Sequence, residues 1–367
     1  MQIGVRSIMV KIALLGFGTV GSGVYEVLEK NSALIHRQTG LEIEIKYILD
    51  LREFPEHPLG NRVVHDFAII AQDPEIAVVC EMMGGVHPAY DFTKAALEAG
   101  KNVVTSNKAV VAAYGPELLA LAAEKKVRYL FEASVGGGIP IIRPMQTCMN
   151  GNEITEIAGI LNGTTNYILT SMEKEGVSFE EALSRAQKLG YAEADPSADI
   201  EGADACRKIC ILAAVAFGTL VPYESVACEG ITRITNEDVA KAAEKNAAIK
   251  LIGRAVKCPD GKLYLSVSPY AVRRDNPLAH IDDVFNGVLV RGNVSGDLMF
   301  YGKGAGKLPT ASAVVSDILD IASHVGNQPV QPQWVRDASC LATALPEELA
   351  SESAETLVTP VLHPALA

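Results

Sequence analysis

Lys11-Ile-Ala-Leu-Leu15-Gly16-Phe17-Gly18-Thr19-Val20-Gly21 reads as a buried strand, a glycine turn and the opening of a helix. Each glycine has its own duty. Gly16 permits the tight turn, Gly18 lets backbone N–H groups approach a pyrophosphate, and Gly21 lets the helix pack close to the strand. A GxGxxG string alone is a weak signal. Between a strand and a helix, at the head of an alternating β/α segment, it is fairly specific for a dinucleotide, so Gly16, Phe17, Gly18, Thr19, Val20 and Gly21 are expected to bind a cofactor.

Working outward, β-branched runs at Glu42–Leu49, Ile76–Cys80, Asn102–Thr105 and Val127–Phe131 alternate with helical stretches at Val20–Lys30, Pro88–Ala99 and Gly115–Lys125. That alternation predicts a parallel sheet covered by helices, a Rossmann-type α/β domain. From about Met145 the pattern changes to strand Ile154–Leu161, a turn at Asn162-Gly163, helices Thr165–Lys174, Phe179–Leu189 and Ala203–Phe217, and later antiparallel-type strands Gly253–Val256, Leu263–Tyr270, Val284–Arg291 and Asp297–Tyr301. This is a second domain of α+β type. A helix from Thr310 to about His324 follows, and residues 326–367 read as a peripheral or partly disordered tail.

Asp50 ends the second strand, where a carboxylate would accept hydrogen bonds from an adenosine ribose and repel a 2′-phosphate. Arg52 lies two residues on and would reach a phosphate if the loop turned back, so the choice between NAD and NADP stays open. The loop Gly302-Lys-Gly-Ala-Gly306-Lys307 fails the nucleotide-triphosphate pattern because Leu308 stands where Ser or Thr is needed. It reads either as a close approach to a cofactor or as a plain tight connection.

Length and composition bound the function classes. A chain of 367 residues has room for two domains or three. Its net charge of −12 and dispersed basic residues leave no footprint for nucleic acid. The longest apolar stretches, Ile12–Val20 and Ile209–Val221, are too short to span a bilayer, and the amino terminus carries no cleavage signal. Seven scattered cysteines without a Cys-x-x-Cys pair suggest reduced thiols, mostly buried, and a cytoplasmic protein.

The segment Gly190–Asp204 packs Glu193, Asp195, Asp199, Glu201 and Asp204 ahead of an apolar helix. A solvated acidic loop would explain the carboxylates, but not the continuation. Asp204 and Lys208 stand four apart and share a helix face, and the helix beyond Lys208 is almost wholly apolar. A partly buried ammonium of this kind can be tuned for chemistry. Lys108 follows a strand at the carboxyl edge of the sheet, where open α/β sheets bind ligands; it reads as a group orienting a carbonyl or carboxylate beside a nicotinamide, or as a surface lysine in a loop.

These residues together resemble the homoserine dehydrogenases. The matches run in order through Gly16–Gly23, Thr105–Lys108, Glu132–Pro140, Asn162–Tyr167, Gly190–Lys208 and Gly302–Asp317, with Gly190–Lys208 the most specific. The resemblance implies reversible, NAD- or NADP-dependent reduction of aspartate 4-semialdehyde to homoserine, on the route to threonine and methionine. It assigns proton donation to Lys208 and an assisting role to Lys108. Asp204 would orient Lys208 and substrate, Glu193 would hold the substrate ammonium, and Gly163, Thr164 and Asp199 would line its pocket. Ser106, Lys108 and Gly306 would join the glycine turn and Asp50 at the cofactor.

The family also implies a monovalent cation, typically sodium, held near Glu132 by backbone oxygens of Val135, Gly137 and Ile139. It further implies a homodimer or higher homo-oligomer. The expected domains are residues 1–145 for the dinucleotide, 146–305 for catalysis and dimerisation, and a helix at 306–325 returning to the first domain. The stretch after His324 is too short for the regulatory ACT domain that many bacterial relatives carry, so threonine feedback through one is not expected. The alternative reading is another Rossmann dehydrogenase of a small amino or hydroxy acid.

Overall fold

The computed structural model describes residues 8–324, 331–346, 349 and 358–360. They fall into two units, Met1–Gly138 with Ala305–Trp334, and Ile139–Gly304 with Val335–Ala367. The first contains β1 (Ile8–Leu15), α1 (Thr19–Thr39), β2 (Leu41–Leu49), β3 (Val63–Val64), α2 (Phe67–Gln72), β4 (Ile76–Glu81), α3 (Ala89–Glu98), β5 (Asn102–Thr105), α4 (Lys108–Lys125) and β6 (Tyr129–Leu130). The second contains β7 (Ile154–Ile160), α5 (Gly163–Glu175), α6 (Phe179–Lys188), α7 (Ser197–Ile200), α8 (Ala203–Phe217), β8 (Thr219–Leu220), β9 (Ala227–Cys228), α9 (Asn236–Glu244), β10 (Ala247–Lys257), β11 (Leu263–Arg273), β12 (Phe285–Gly292) and β13 (Gly296–Lys303). Helix α10 (Lys307–Ser323) belongs to the first unit, and β14 (Val335–Arg336) and β15 (Val358–Pro360) to the second.

In the first unit the sheet order is β3-β2-β1-β4-β5-β6, with every pairing parallel. A parallel sheet is covered on both faces, which is why Ile12, Leu14 and Leu15 are all fully buried in one unbroken apolar run. Each such side chain contributes about 1.5–3 kcal/mol on burial. The core continues into α1 and α10 through Val24, Leu28, Val314 and Ile318. Strand order reverses between β1 and β4, so the ligand crevice of such a sheet lies beyond their carboxyl ends.

Among the expected helices, two in this unit differ most from the sequence reading. Helix α1 runs past Lys30 to Thr39 and stops at Gly40, whose left-handed φ of 72° ends it. Helix α4 begins at Lys108 rather than Gly115, because Asn107 accepts hydrogen bonds from the Ala109 and Val110 N–H groups and caps it. Pro116 therefore sits inside the helix, and Lys108 occupies a first helical turn instead of a loop.

The second unit holds a sheet of order β13-β12-β7-β10-β11-β15, with β9 added parallel to β11. Strand β10 is longer than the expected Gly253–Val256, since a lysine at 250 interrupts the apolar pattern while remaining fully buried. A Cβ on Gly253 would lie 3.0 Å from Leu161 and 3.2 Å from Ile209, so the missing side chain lets α8 settle on the sheet. The other face carries a core of Ala158, Ile160, Ile252, Tyr270, Leu278 and Ile281.

Asn162 caps α5 by accepting from the Thr165 N–H, in place of the expected turn. Part of the expected tail is structured: Trp334 is buried edge-on to Phe131, and Val335–Arg336 pairs in parallel with β8. An indole that size finds cover where Gly115 leaves room, for a Cβ there would come within 2.8 Å of its ring. Residues 326–330, 347–348, 350–357 and 361–367 of the tail, with 1–7 at the amino terminus, lie outside the described residues. All seven cysteines are free; Cys80, Cys206, Cys210 and Cys258 are buried as expected, whereas Cys148 and Cys228 are exposed.

Candidate active site

In the first unit the turn is built by backbone. Gly16 adopts φ +91°, and its N–H donates to the Leu49 carbonyl at 2.8 Å. A Cβ on Gly21 would stand 2.2 Å from the Gly16 oxygen, a clash no rotamer relieves. Gly18 has open space where a Cβ would project, and α1 behind it has neither a side-chain cap nor an acidic residue in its first turn. The free N–H groups and positive end of a 21-residue helix thus face an open approach, a donor set suited to a pyrophosphate. Phe17 contributes its backbone; its ring is buried edge-on to Phe54 and His57. Thr19 is exposed and Val20 half-buried beside it.

Asp50 is engaged by its own loop and by the glycine turn. Its Oδ2 accepts from the Phe17 N–H at 2.8 Å and from Arg52 Nη2 at 2.8 Å. Its Oδ1 accepts from the Arg52 N–H at 3.0 Å and Nε at 2.9 Å. A carboxylate has about four acceptor sites, and these bonds fill them. The Arg52 guanidinium holds this carboxyl well below the usual carboxylate range, despite burial that opposes it. The loop does turn back, leaving Arg52 mostly exposed at the tip of β2.

Ser106 donates its N–H to the Glu81 carbonyl at 3.2 Å, and Lys108 starts α4 beside it. Gly306, at φ +118°, precedes α10, which crosses α1 so closely that a Cβ on Gly23 would meet the Lys307 carbonyl at 2.9 Å. Glu132 is buried, and its N–H donates to Asp317 Oδ2 at 2.9 Å. Beyond it the chain turns through Gly136 and Gly137 at φ +75° and +53°, next to buried Val135. Carboxylates and backbone carbonyls are the oxygen donors that hard cations take. No group of three or more His, Cys, Asp or Glu able to hold a metal occurs among the described residues. Ile139 opens the second unit.

In the second unit the site is built by side chains from distant segments. Lys208, on α8, is only 8% exposed, and its Nζ donates to Asp204 Oδ2 at 2.7 Å and to the Leu161 carbonyl at 2.8 Å. Asn162 Nδ2 donates to the same Asp204 oxygen at 2.9 Å and to Asp199 Oδ1 at 2.8 Å. The Thr164 hydroxyl lies 3.0 Å from Asp199 Oδ2 and 2.7 Å from the Tyr191 carbonyl. Gly163 starts α5 tight against Val284, whose carbonyl a Cβ would approach to 2.8 Å. The structure therefore gathers Lys208, Asp204, Asp199, Thr164 and Gly163, and adds Asn162 and the Leu161 carbonyl. Sequence reasoning missed Asn162 because a capping residue looks alike in any helix, and the Leu161 carbonyl because a backbone acceptor leaves no side-chain signal. Glu193 stands outside the network, exposed, its carbonyl accepting from Gln187.

A buried ammonium on a carboxylate beside a helix terminus can deliver a proton in one unit, and a dinucleotide turn can hold a redox cofactor in the other. Residues 16–132 match the family described as homoserine dehydrogenase, NAD binding domain, and residues 140–319 the family described as homoserine dehydrogenase. The chain belongs to the homoserine dehydrogenase family. That makes it an NAD(P)-dependent oxidoreductase.

The homoserine dehydrogenase of Synechocystis is 46% identical over 339 residues, 90% of this chain and 77% of that one. That of Bacillus subtilis is 42% identical over 340 residues, 89% of this chain and 77% of that one. The crystal structure of a homoserine dehydrogenase from Thiobacillus denitrificans superposes with TM-score 0.84 at 40% identity, covering 92% of this chain and 79% of that one. A hyperthermophilic archaeal homoserine dehydrogenase in complex with NADPH superposes with TM-score 0.74 at 28% identity, covering 88% of this chain and all of that one. Among the described residues, no helix is long and apolar enough to cross a membrane.

Proposed function

We propose that this protein catalyses the reversible reduction of L-aspartate 4-semialdehyde to L-homoserine, a step toward threonine and methionine, with NADP preferred over NAD. The observation that carries the reading is the buried Lys208 ammonium held between Asp204 and the Leu161 carbonyl. When bound, the reduced nicotinamide supplies the hydride. As the aldehyde carbon takes it, the oxygen gains negative charge; Lys208 stabilises that charge and gives the oxygen its proton, completing the alcohol. In the reverse direction Lys208 takes the hydroxyl proton. Asp204 pairs with the ammonium and aims it, and Asn162 fixes Asp204 and Asp199 together. Thr164 and Gly163 line the substrate pocket, Glu193 holds the substrate ammonium, and Lys108 assists at the cofactor side.

The preference for NADP rests on Arg52. With its acceptor sites filled, Asp50 has little left for ribose hydroxyls, while an exposed guanidinium suits a 2′-phosphate. Glu132, with the Val135, Gly137 and Ile139 carbonyls, would hold sodium as structural support. The active form is a homo-oligomer, at least a dimer, in the cytoplasm, where the free thiols stay reduced.

Steady-state kinetics with homoserine, related amino and hydroxy acids, and each coenzyme test the reading. Homoserine with NADP is the expected best pair, and Arg52→Ala lowers the NADP/NAD ratio of kcat/KM by about tenfold. Faster turnover of another acid overturns the substrate; an unchanged ratio overturns the role of Arg52.

A further inference from the structure

Strand β4 ends in a carboxyl group that the proposed mechanism does not use. Glu81 is fully buried, and the register sets it beside Leu15 of β1 and Thr105 of β5, at the carboxyl ends of the strands that border the crevice. Val78, Val79 and Cys80, just before it, fill the same core with apolar side chains. A carboxyl in that position costs free energy that another valine would not, and burial pushes its pKa up.

The compensation is a set of bonds to two loops. Oε2 accepts from the Thr105 hydroxyl at 2.6 Å, and Oε1 accepts from the Met83 N–H at 2.7 Å and from Asn107 Nδ2 at 3.5 Å. Thr105 Oγ1 in turn accepts from the Asn107 N–H at 2.9 Å. Asn107 Nδ2 also donates to the Gly85 carbonyl at 2.7 Å, while its Oδ1 caps α4 by accepting from the Ala109 and Val110 N–H groups, which directly follow Lys108. The Met82 carbonyl of the other loop lies 3.2 Å from where a Gly16 Cβ would be, so that loop borders the phosphate turn. One buried carboxyl thus ties the backbone flanking Gly16 to the cap that starts the Lys108 helix.

We infer that Glu81 is a positioning residue of the coenzyme crevice: it locks Met82–Gly85 to Thr105–Asn107 and so sets where Lys108 and the crevice backbone meet the bound dinucleotide. The inference deepens the proposed dehydrogenase reading and rests on it for the role of Lys108. A polar hub of this kind is worth retaining only where loop position matters more than packing.

The test is Glu81→Gln, with Thr105→Val cutting one bond from the other side. For Glu81→Gln, the dissociation constant of NADPH, read by its fluorescence in the absence of substrate, rises about fivefold to tenfold and kcat falls about tenfold. The KM for homoserine stays within about twofold and the thermal midpoint of the ligand-free protein within about 3 °C. Thr105→Val moves the same two quantities in the same direction by less. Wild-type coenzyme affinity and kcat in both variants, or losses that only follow the fraction of folded protein, overturn the inference. Should the wild-type protein fail to oxidise homoserine, the functional reading falls, while NADPH affinity still reports on Glu81.

Discussion

The two units hold charge by opposite means. In the first, the proposed anion site is made of backbone: consecutive residues Gly16–Gly21, a left-handed turn and a helix end without a side-chain cap, with open space at Gly18. In the second, the ammonium site is made of the Asn162, Thr164, Asp199, Asp204 and Lys208 side chains with the Leu161 carbonyl, each side chain oriented by another group. Backbone dipoles are rigid and need no partner, so a short local stretch suffices. A buried ammonium needs its charge balanced and its donors satisfied, which takes contributions from several elements. The first site therefore fails when an atom is added, and the second when one is removed.

The sharpest way to break that contrast is Lys208→Ala. Turnover is expected to fall by about 100-fold or more while NADPH affinity stays within about twofold, since the loss is confined to proton transfer. Retained turnover would remove the second unit's site from the chemistry. Gly21→Ala is the complementary experiment on the first. Its Cβ would overlap the Gly16 carbonyl, so NADPH affinity is expected to drop by about tenfold, with a stability loss of about 1–3 kcal/mol from the forced backbone shift. Equilibrium unfolding and fluorescence titration check it, and unaltered affinity would mean the turn does not carry the coenzyme.

A smaller effect separates the units by pH. Lys250, in the second unit, is fully buried and donates to Asn166 Oδ1 at 3.4 Å and to Asp282 Oδ1 at 3.2 Å; burial lowers its pKa, with Asp282 opposing. Between that lowered value and the ordinary lysine value the unfolded chain holds more protons than the folded one, so this group makes stability rise with pH. Denaturant unfolding at pH 8 and 10 should show the rise, and Lys250→Met should remove it. Equal slopes in both proteins would contradict the assignment.

Much of the first unit was legible because its signals are local. Strand, turn and helix follow one another, and the glycine positions announce the geometry. Where the reading slipped, at the start of α4, two valid signals competed: Pro116 suited a first turn, and Asn107 suited a cap. Only packing along the whole of Lys108–Lys125 decides between them. In the second unit the Asp204–Lys208 spacing announced an ion pair, but burial of that pair depends on α8 lying over Gly253, a contact more than forty residues away in sequence.

Asp50 carries the general lesson. A carboxylate at the end of the second strand is written in the chain, and so is the arginine two residues on, yet their partnership depends on how the intervening loop turns. By itself the sequence determined the alternation of elements, the dinucleotide turn and the chemical kinds of group available for reaction, because each follows from neighbours a few residues apart. Tertiary structure decided which carboxylate serves which cation and which polar groups lose contact with water, because burial and hydrogen-bond direction belong to the packed chain as a whole.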